Sequence, residues 1–297
     1  MDGNNGRKLI QLKNKSLGVV LVNYHTTEQI IEIAKTYESF SCVDRIVIVN
    51  NDTLECEKPE LLKIESDCIC VIFEKDNLGY SKGNNIGLDY LSKHDIQYVI
   101  ISNSDISIQE NTIVKLVDSL ESSEKYGALA PRMRNSEGDL VPMRAIPLGY
   151  KRLFLQLFIN NLDKKTEYKL KEDEFCIVDQ SFLPGSFFVC KMDALRRCGK
   201  FDPHIFLYRE EEILAVRLKR VGYQVGVSNS VSYVHNHPYN KENIKKIIKG
   251  KRMEHRSERY FFREYLKATP IQMLYVSFFE FLYTIRWTIR HIIKNGL

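Results

Sequence analysis

The sequence predicts an α/β fold in which helices cover both faces of a mostly parallel sheet. Four short apolar segments alternate with helical segments in the first part of the chain, and each ends in a polar cluster. The segments are 17–23, 45–49, 68–73 and 98–102. Continuous apolar runs of this length between helices are typical of parallel strands that are buried on both faces.

The elements around these strands are predicted from apolar spacing and turn residues. In 28–40 the apolar residues recur at helical intervals, and Thr26 or Thr27 can cap that helix. A short helix through Leu91 follows the third strand. Beyond it the predicted elements are a helix at 113–120, strands and turns at 127–148, an irregular charged insertion at 151–173, a bent strand pair at 176–190, helices at 193–198 and 210–221, and a strand at 225–235.

The composition is that of a folded protein with one basic segment. The 297 residues are 44% hydrophobic and 27% charged, which is ordinary for a soluble or peripherally attached protein. Seven cysteines, an odd number, and a polar segment 1–15 without an apolar signal core predict reduced thiols in the cytoplasm. The net charge of +5 is uneven, because 241–297 contain 13 Lys or Arg against 5 Asp or Glu.

Polar residues cluster where the predicted strands end, at Asn23, 50–52, 77–85 and 103–105. Ligands of open α/β sheets bind at the carboxyl ends of the strands, so these clusters predict a ligand site. Asp105 follows a buried strand and is well placed to hold a divalent cation on a diphosphate. The alternative is a strand-end turn, since Asn, Ser and Asp all favour turns.

The loop 77–87 contains three glycines and three asparagines ahead of a helix. Such a loop can bring its backbone N–H groups close to a ligand. It lacks the Gly-Lys-Ser/Thr ending of a phosphate-binding loop and does not follow the first strand, as a dinucleotide fingerprint would. A ligand-binding loop and a glycine-rich turn both fit the residues.

Two further groups can carry chemistry. Glu210 and Glu211 open a helix directly after Phe206 and Tyr208. A carboxylate beside an apolar cleft can become basic enough to take a proton from a hydroxyl group, although acidic residues in a first turn also complement the helix dipole. One of the histidines at 235 and 237 is a candidate metal ligand, with solvent-facing loop histidines as the alternative.

Taken in order, these motifs resemble those of glycosyltransferase family 2, in particular the rhamnosyltransferase-like branch that builds bacterial surface polysaccharides. The similar positions are Val20-Leu21-Val22-Asn23-Tyr24, Val49-Asn50-Asn51, the loop 77–87, Asn103-Ser104-Asp105, Gly185, Gly199-Lys200-Phe201-Asp202, Phe206-Leu207-Tyr208-Arg209-Glu210-Glu211 and Arg217. The resemblance covers 17–238.

The resemblance implies a GT-A fold, an inverting single displacement, and Mg²⁺ or Mn²⁺ on the donor diphosphate. It implies Glu211 as catalytic base with Glu210 beside it, and Asp105 and His235 as metal ligands. The donor-binding positions are Asn23, Tyr24, Asn51, Asn77, Gly79, Tyr80, Gly83, Asn84, Asn103 and Ser104. Those on the acceptor side are Gly185, Ser186, Tyr208 and Arg144. The expected domains are a polar lead 1–16, a catalytic domain 17–240 with a nucleotide-sugar half 17–115 and an acceptor half 116–240, and a basic amphipathic helical extension 241–297.

Several positions depart from the family pattern. Asn103 and Asn50 stand where many members have Asp, Glu211 replaces the commoner Asp, and Ile213 replaces a further Asp. A sugar- or nucleotide-binding protein without turnover is therefore the alternative from another class. A nucleotidyltransferase is disfavoured, because its glycine-rich, Arg-containing loop after the first strand is absent.

The composition of the C-terminal extension, 241–297, predicts how this segment is placed, and the resemblance implies the partners. The apolar segment 271–293 contains Glu280, Arg286 and Arg290, which disfavours a transmembrane helix. A helix in the interface of the inner membrane fits, as does a helix packed on the catalytic domain or in a homodimer. The expected partners are a UDP-, dTDP- or GDP-sugar and a glycan or lipid-linked glycan acceptor. No RNA-binding motif is present, so no nucleic acid partner is expected. The expected location is cytoplasmic, including the cytoplasmic face of the cell membrane.

Overall fold

The computed structural model describes residues 15–52, 54, 57–143, 146–159, 162–165, 167, 177–180, 182–236 and 244–295. The strands are β1 Leu17–Asn23, β2 Arg45–Asn50, β3 Ile69–Phe73, β4 Tyr98–Ser102, β5 Ile106–Ser107, β6 Tyr126–Arg134, β7 Ile177–Gln180, β8 Phe187–Lys191 and β9 Gln224–His235. The helices are α1 Thr27–Glu38, α2 Lys58–Leu62, α3 Tyr80–Ser92, α4 Glu110–Glu121, α5 Tyr150–Phe158, α6 Leu162–Lys165, α7 Met192–Cys198, α8 Glu210–Arg220, α9 Ile244–Tyr260 and α10 Pro270–Asn295, with a π-helical turn Phe261–Tyr265 between the last two.

All these strands form one sheet, in the order β3-β2-β1-β4-β8-β6-β9-β5, with β7 paired to β9. The first four strands are parallel, β8 is antiparallel to both β4 and β6, and β6 is parallel to β9. Asn23 of β1 lies opposite Asn50 of β2, so the polar strand ends meet at one edge as predicted. The mostly parallel sheet with flanking helices is confirmed.

The two faces of the sheet carry separate apolar cores. In β1, Leu17 and Leu21 pack with α1 and α4 on one face, whereas Val20 packs with α3 and other helices on the opposite face. Side chains of a strand alternate between the two faces, so a strand covered on both sides needs apolar residues at every position. This requirement explains the unbroken apolar runs in the sequence.

Two local predictions are wrong. The insertion at 151–173 was expected to be irregular, but its first part forms α5, which packs against α10 through the core that contains Leu153 and Val276. The segment 176–190 was expected to form a bent strand pair. Instead β7 pairs with β9, and β8 inserts between β4 and β6. Both errors concern partners that lie far away in sequence.

The C-terminal helices pack on the rest of the protein. Phe261 and Phe262 lie in a core with Ile205 and Ile213. The hydroxyl groups of two tyrosines, 260 and 265, donate to Asp202 Oδ2 at 2.9 and 2.6 Å. Within the part of the chain that the structure describes, no helix is both long and apolar enough to cross a membrane.

Candidate active site

Two cavities meet at the carboxyl edge of the parallel strands. The larger cavity has a volume of about 1030 Å³ and the smaller cavity about 390 Å³. Tyr80, Asn103, Leu207, Tyr208 and Glu254 line both of them. The two cavities therefore share a wall, and a group bound in one lies next to a group bound in the other.

Most of the predicted site residues line these cavities. The larger cavity is lined by Tyr24, Asn51, Asn77, Gly79, Tyr80, Asn103, Ser104, Asp105 and Tyr208. The smaller cavity is lined by Tyr80, Asn103, Gly185, Ser186, Tyr208, Glu210, Glu211 and His235. Asn23, Gly83 and Asn84 line neither cavity, and Arg144 lies outside the described residues.

The three residues that do not line a cavity lie directly behind its wall. Asn23 is fully buried, and its Nδ2 donates to Thr27 Oγ1 at 2.8 Å and to Asn50 Oδ1 at 2.7 Å. Asn84 donates to the backbone oxygen of Tyr80 at 3.0 Å. A side chain at Gly83 would come within 2.9 Å of Asn51 Nδ2. These residues fix the shape of the wall.

The buried Asp52 contacts His25, which lines the larger cavity, and the sequence predicted no role for it beyond membership of the polar cluster 50–52. Its Oδ2 accepts the backbone N–H of His25 at 2.8 Å and lies 2.7 Å from His25 Nδ1, and its Oδ1 accepts the N–H of Leu54 at 3.0 Å. Burial raises the pKa of Asp52, but these N–H donors lower it more, so the pKa lies below its ordinary value. The ionised carboxylate fixes His25, which has a positive φ of 57°, and with it the neighbouring Tyr24.

The glycine-rich loop is attached to the segment that carries the acidic residues. The N–H of Tyr80 donates to the backbone oxygen of Phe206 at 2.8 Å, and the Tyr80 hydroxyl donates to the oxygen of Gly185 at 3.0 Å. Gly79 has a φ of +81°, and a Cβ there would lie 2.7 Å from Phe206 Cδ2. Only glycine combines this backbone conformation with this close approach. The loop, the Gly185 turn and the start of α8 are thus held together.

Glu211 is half-buried, and its carboxylate lies over Gly185. A Cβ built on Gly185 would overlap Oε1 of Glu211 and lie 2.8 Å from its Cδ. The absence of a side chain at 185 therefore creates the space for the carboxylate. Burial and the neighbouring charges of Glu210 and Glu212 raise the pKa of Glu211 well above its ordinary value.

Glu210 is a second basic carboxylate beside it. It is almost fully buried, and its Oε1 has no hydrogen-bond partner among the described residues. Burial and the charge of Glu212 raise the pKa of Glu210 to about 7. The pKa values of both carboxyl groups are therefore raised, which is a property of catalytic acids and bases.

Arg209 holds the first turn of α8 in place, and this role was not predicted. Tyr208 and Arg209 both have φ of 72°, a conformation that costs of order 1–3 kcal/mol for each non-glycine residue. The Arg209 guanidinium lies 3.1 Å from carboxylate oxygens of Glu212 and Glu254 and 3.5 Å from that of Glu258. Although burial lowers the pKa of Arg209, these carboxylates raise it above its ordinary value.

The extension also contributes to the site. Glu254 and Glu258 belong to α9, and Ser257 donates to the backbone oxygen of Leu207 at 2.7 Å. Lys249 and Lys251 of the same helix line the larger cavity. The C-terminal helices therefore fix the acidic segment from behind and place cations beside the larger cavity.

Asp105 and His235 lie together where the cavities meet. Asp105 Oδ1 is 3.2 Å from His235 Nε2, because β5 and β9 pair with Ile106 opposite His235. A carboxylate oxygen and an imidazole nitrogen are ligands that Mn²⁺ accepts, so the pair fits a divalent cation. No group of three His, Cys, Asp or Glu suited to a metal occurs among the described residues. Two protein ligands leave coordination positions for phosphate oxygens and water.

The chain is similar to proteins that transfer sugars. Residues 18–196 match the family model Glycosyl transferase family 2. The low-salt glycan biosynthesis hexosyltransferase Agl10 of Haloferax volcanii is 28% identical over 233 residues, which are 78% of this chain and 70% of that protein. The N-acetylglucosaminyl-diphospho-decaprenol L-rhamnosyltransferase of Mycobacterium tuberculosis is 27% identical over 130 residues, 42% of each protein.

The fold is also that of solved sugar transferases. The mannosyltransferase PcManGT of Pyrobaculum calidifontis, solved in complex with GDP-Man and Mn²⁺, matches with a TM-score of 0.56 at 15% identity. The match covers 90% of this chain and 69% of that one. At this identity the similarity concerns the fold alone, and it confirms the predicted GT-A arrangement.

Proposed function

The chain belongs to glycosyltransferase family 2 and is a glycosyltransferase of glycan biosynthesis, and we propose that it transfers a sugar from a nucleotide-diphosphate donor to a hydroxyl group with inversion at the anomeric carbon. The observation that supports this most is the wall that the two cavities share. The larger cavity, with Lys249 and Lys251 on one side, takes the donor. The smaller cavity, which contains the carboxylate of Glu211, takes the acceptor.

In the proposed reaction, Glu211 accepts the proton of the acceptor hydroxyl as that oxygen attacks the anomeric carbon. The bond between the anomeric carbon and the phosphate oxygen breaks, and the nucleoside diphosphate leaves from the opposite face of the sugar. A divalent cation held by Asp105 and His235 would stabilise the negative charge on the diphosphate. Glu211 transfers a proton only and forms no bond to the sugar, which gives inversion.

The proposal extends to the substrates. The M. tuberculosis relative is named for transfer to a sugar on a diphospho-decaprenol, and the H. volcanii relative for glycan biosynthesis. We therefore propose a glycan or lipid-linked glycan acceptor in cell-surface polysaccharide synthesis, such as a capsule or O-antigen. UDP-, dTDP- and GDP-sugars are the donor classes to compare, because Asn50 replaces the Asp that commonly contacts the base in the family.

A donor panel tests this function. With Mn²⁺ or Mg²⁺ present, one nucleotide sugar of the three classes should be bound and slowly hydrolysed or transferred, and EDTA should stop its turnover. Asp105→Asn should reduce turnover by roughly 10²-fold, because a weaker metal ligand leaves the diphosphate charge uncompensated. Asp139→Asn, an exposed change in a turn, is the matched control. The proposal is wrong if no donor is bound or consumed with either metal.

We further propose that α10 attaches the enzyme to an anionic membrane surface. Its outward face carries exposed apolar residues three or four positions apart, and α5 adds two phenylalanines beside it. These residues are Phe154, Phe158, Ile271, Leu274, Phe278, Phe281, Ile285 and Ile289. They make up eight of the fourteen large hydrophobic side chains that are exposed in the described part of the chain, so the apolar surface is concentrated in one place.

The charges around this apolar face favour a lipid surface as its partner. Arg263, Lys267 and Arg290 are exposed nearby, and the acidic Glu280 of α10 is buried against Arg259 at 2.7 Å. An amphipathic helix with apolar and basic surface lies in the interface of anionic membranes. A second copy of the chain would instead bring like charges together.

Vesicle flotation tests the attachment. The protein should float with vesicles that contain phosphatidylglycerol and much less with pure phosphatidylcholine, because the attraction is partly electrostatic. Phe278→Ser with Phe281→Ser should abolish flotation, whereas Leu62→Ser, an equally exposed apolar change on α2, should not. Loss of a dimer in that double variant, with no vesicle binding by the parent, would overturn the proposal in favour of self-association.

A further inference from the structure

A third cavity lies beside the β5–β9 pair. Its volume is about 540 Å³, and Ser107 and Val234 line it. These two residues are paired one position beyond Ile106 and His235. None of its lining residues lines either of the two cavities of the transfer site, so it is a separate cavity.

The lining of the third cavity is positively charged. Lys115, Arg132 and Arg134 line it, and no Asp or Glu is among its described lining residues. The remaining lining is largely hydroxyl and amide groups, which include those of Asn229, Ser230 and Ser232. Lys115 and Arg134 have no carboxylate among the residues that line this concave, polar surface with them, and Arg132 has one beside it in Glu167, so the lining has a net positive charge that attracts anions.

Two arginines are fixed in position before any ligand binds. Arg132 is only 4% exposed, its Nη1 donates to Asn229 Oδ1 at 2.9 Å, and its Nη2 lies 3.6 Å from Oε1 of Glu167. Arg134 donates from Nε to Ser232 Oγ at 3.2 Å and from Nη1 to the backbone oxygen of Gly138 at 2.8 Å. Guanidinium groups held in this way lose little entropy when they bind an oxyanion.

The start of α4 adds to the positive potential. This 12-residue helix begins at Glu110, and the cavity is lined by Gln109, which precedes it, and by Asn111 and Thr112 of its first turn. Gln109 provides no side-chain cap, and the carboxylate of Glu110 is directed elsewhere, since it accepts from Ser41 Oγ and the Cys42 N–H at 2.8 and 2.9 Å. The positive end of the helix dipole therefore supports the three cations.

We propose that this cavity is a second ligand site that binds one phosphate or carboxylate group. A carboxylate is a planar oxyanion and a phosphate a tetrahedral one, and guanidinium groups bind both through paired hydrogen bonds. The volume suits a ligand of monosaccharide size. The oxyanion is either a free phosphate or the acidic group of a sugar residue in a glycan. The binding of an oxyanion in this cavity does not depend on the proposed transfer activity. The assignment of that oxyanion to a sugar residue of a glycan rests on the proposed function.

Calorimetry without a donor tests the site. Inorganic phosphate and glucuronate are titrated in parallel, with glucose as the neutral comparison. Saturable binding of phosphate alone assigns a phosphate site, and binding of glucuronate assigns an acidic sugar residue. Lys115→Gln and, separately, Arg134→Gln should each weaken that binding about tenfold through loss of a charge-assisted hydrogen bond. Lys35→Gln, an exposed lysine on α1, should leave it unchanged.

Two results would overturn the proposal. One is the absence of saturable binding of either anion by the folded parent protein. The other is binding that survives both substitutions, because the anion would then lie elsewhere. Donor binding and turnover are measured on the same preparations, so a failed transfer function is recognised separately from a failed anion site.

Discussion

Replacing Glu211 with Gln is expected to reduce sugar transfer by about 10²–10⁴-fold, the usual contribution of a positioned base. The amide keeps the size of the side chain over Gly185 but cannot accept the proton of the acceptor hydroxyl. Donor affinity should stay within about twofold, since Glu211 lines the smaller cavity and not the larger one. Single-turnover rates and calorimetry with the donor check both parts. Normal turnover in this variant would show that another group is the base.

The pH dependence of the transfer rate tests the role of Glu211 independently. Transfer requires ionised Glu211, so the rate should rise with pH through the raised pKa of that carboxyl group. Glu210→Gln removes a negative charge that contributes to the raised pKa of Glu211. The rising limb should therefore move to lower pH in this variant, while the exposed change Glu60→Gln leaves it in place. A limb that does not move would argue against the coupling of the two carboxylates.

The sequence predicted the positions of those site residues that follow directly from the order of the apolar strands and the polar residues at their ends. Asn51 and Asp105 end or follow apolar strands, and the carboxyl ends of parallel strands share one edge, so their position at a common cavity follows from strand order. Asn23 occupies the same kind of position, yet its side chain bonds to Thr27 and Asn50 and does not face the cavity. Turn preference places a polar residue at a strand end but does not determine which way its side chain points.

What the sequence did not predict depends on contacts between distant segments. The motif predicted no role for Arg209, because the carboxylates of Glu254 and Glu258 that fix it lie on α9, far away in sequence. Charge pairs across such distances have no periodicity that a sequence reveals. The position of Lys249 and Lys251 was also not predicted. Their helix was expected to lie in an extension outside the catalytic domain, but both lysines line the larger cavity.

These contacts connect the C-terminal helices with the transfer site. The strained turn at Tyr208 and Arg209 is held by α9, because two of the three carboxylates around the Arg209 guanidinium, those of Glu254 and Glu258, belong to that helix. α10 packs against α9 and α5 and carries the exposed apolar face. The helix that presents the proposed membrane surface, α10, therefore packs on α9, the helix that holds the acidic segment in position.

Replacing Gly185 with Ala is expected to reduce transfer by about 10²-fold in a protein that remains folded. The new methyl group would occupy the position of Glu211 Oε1 and displace the carboxylate, and small displacements of a catalytic group have effects of this size. Gly185 does not have a positive φ, so alanine causes no backbone strain. Overpacking costs about 1–3 kcal/mol, which a domain with a stability of about 5–15 kcal/mol tolerates. Steady-state kinetics should show a lower kcat with little change in the KM for the donor.

The matched control and a rescue distinguish displacement of the base from a general defect. Gly149→Ala should have no effect, because Gly149 has extended backbone angles and no atom within 4 Å of an added Cβ. Glu211→Asp moves the carboxyl carbon from the position of Cδ, 2.8 Å from the added methyl group, to that of Cγ, 3.5 Å away, and so relieves most of the overlap. Gly185→Ala should therefore cost much less activity in the Glu211→Asp background than in the parent. Equal losses in both backgrounds would mean that Gly185 acts through something other than the space it leaves for the base.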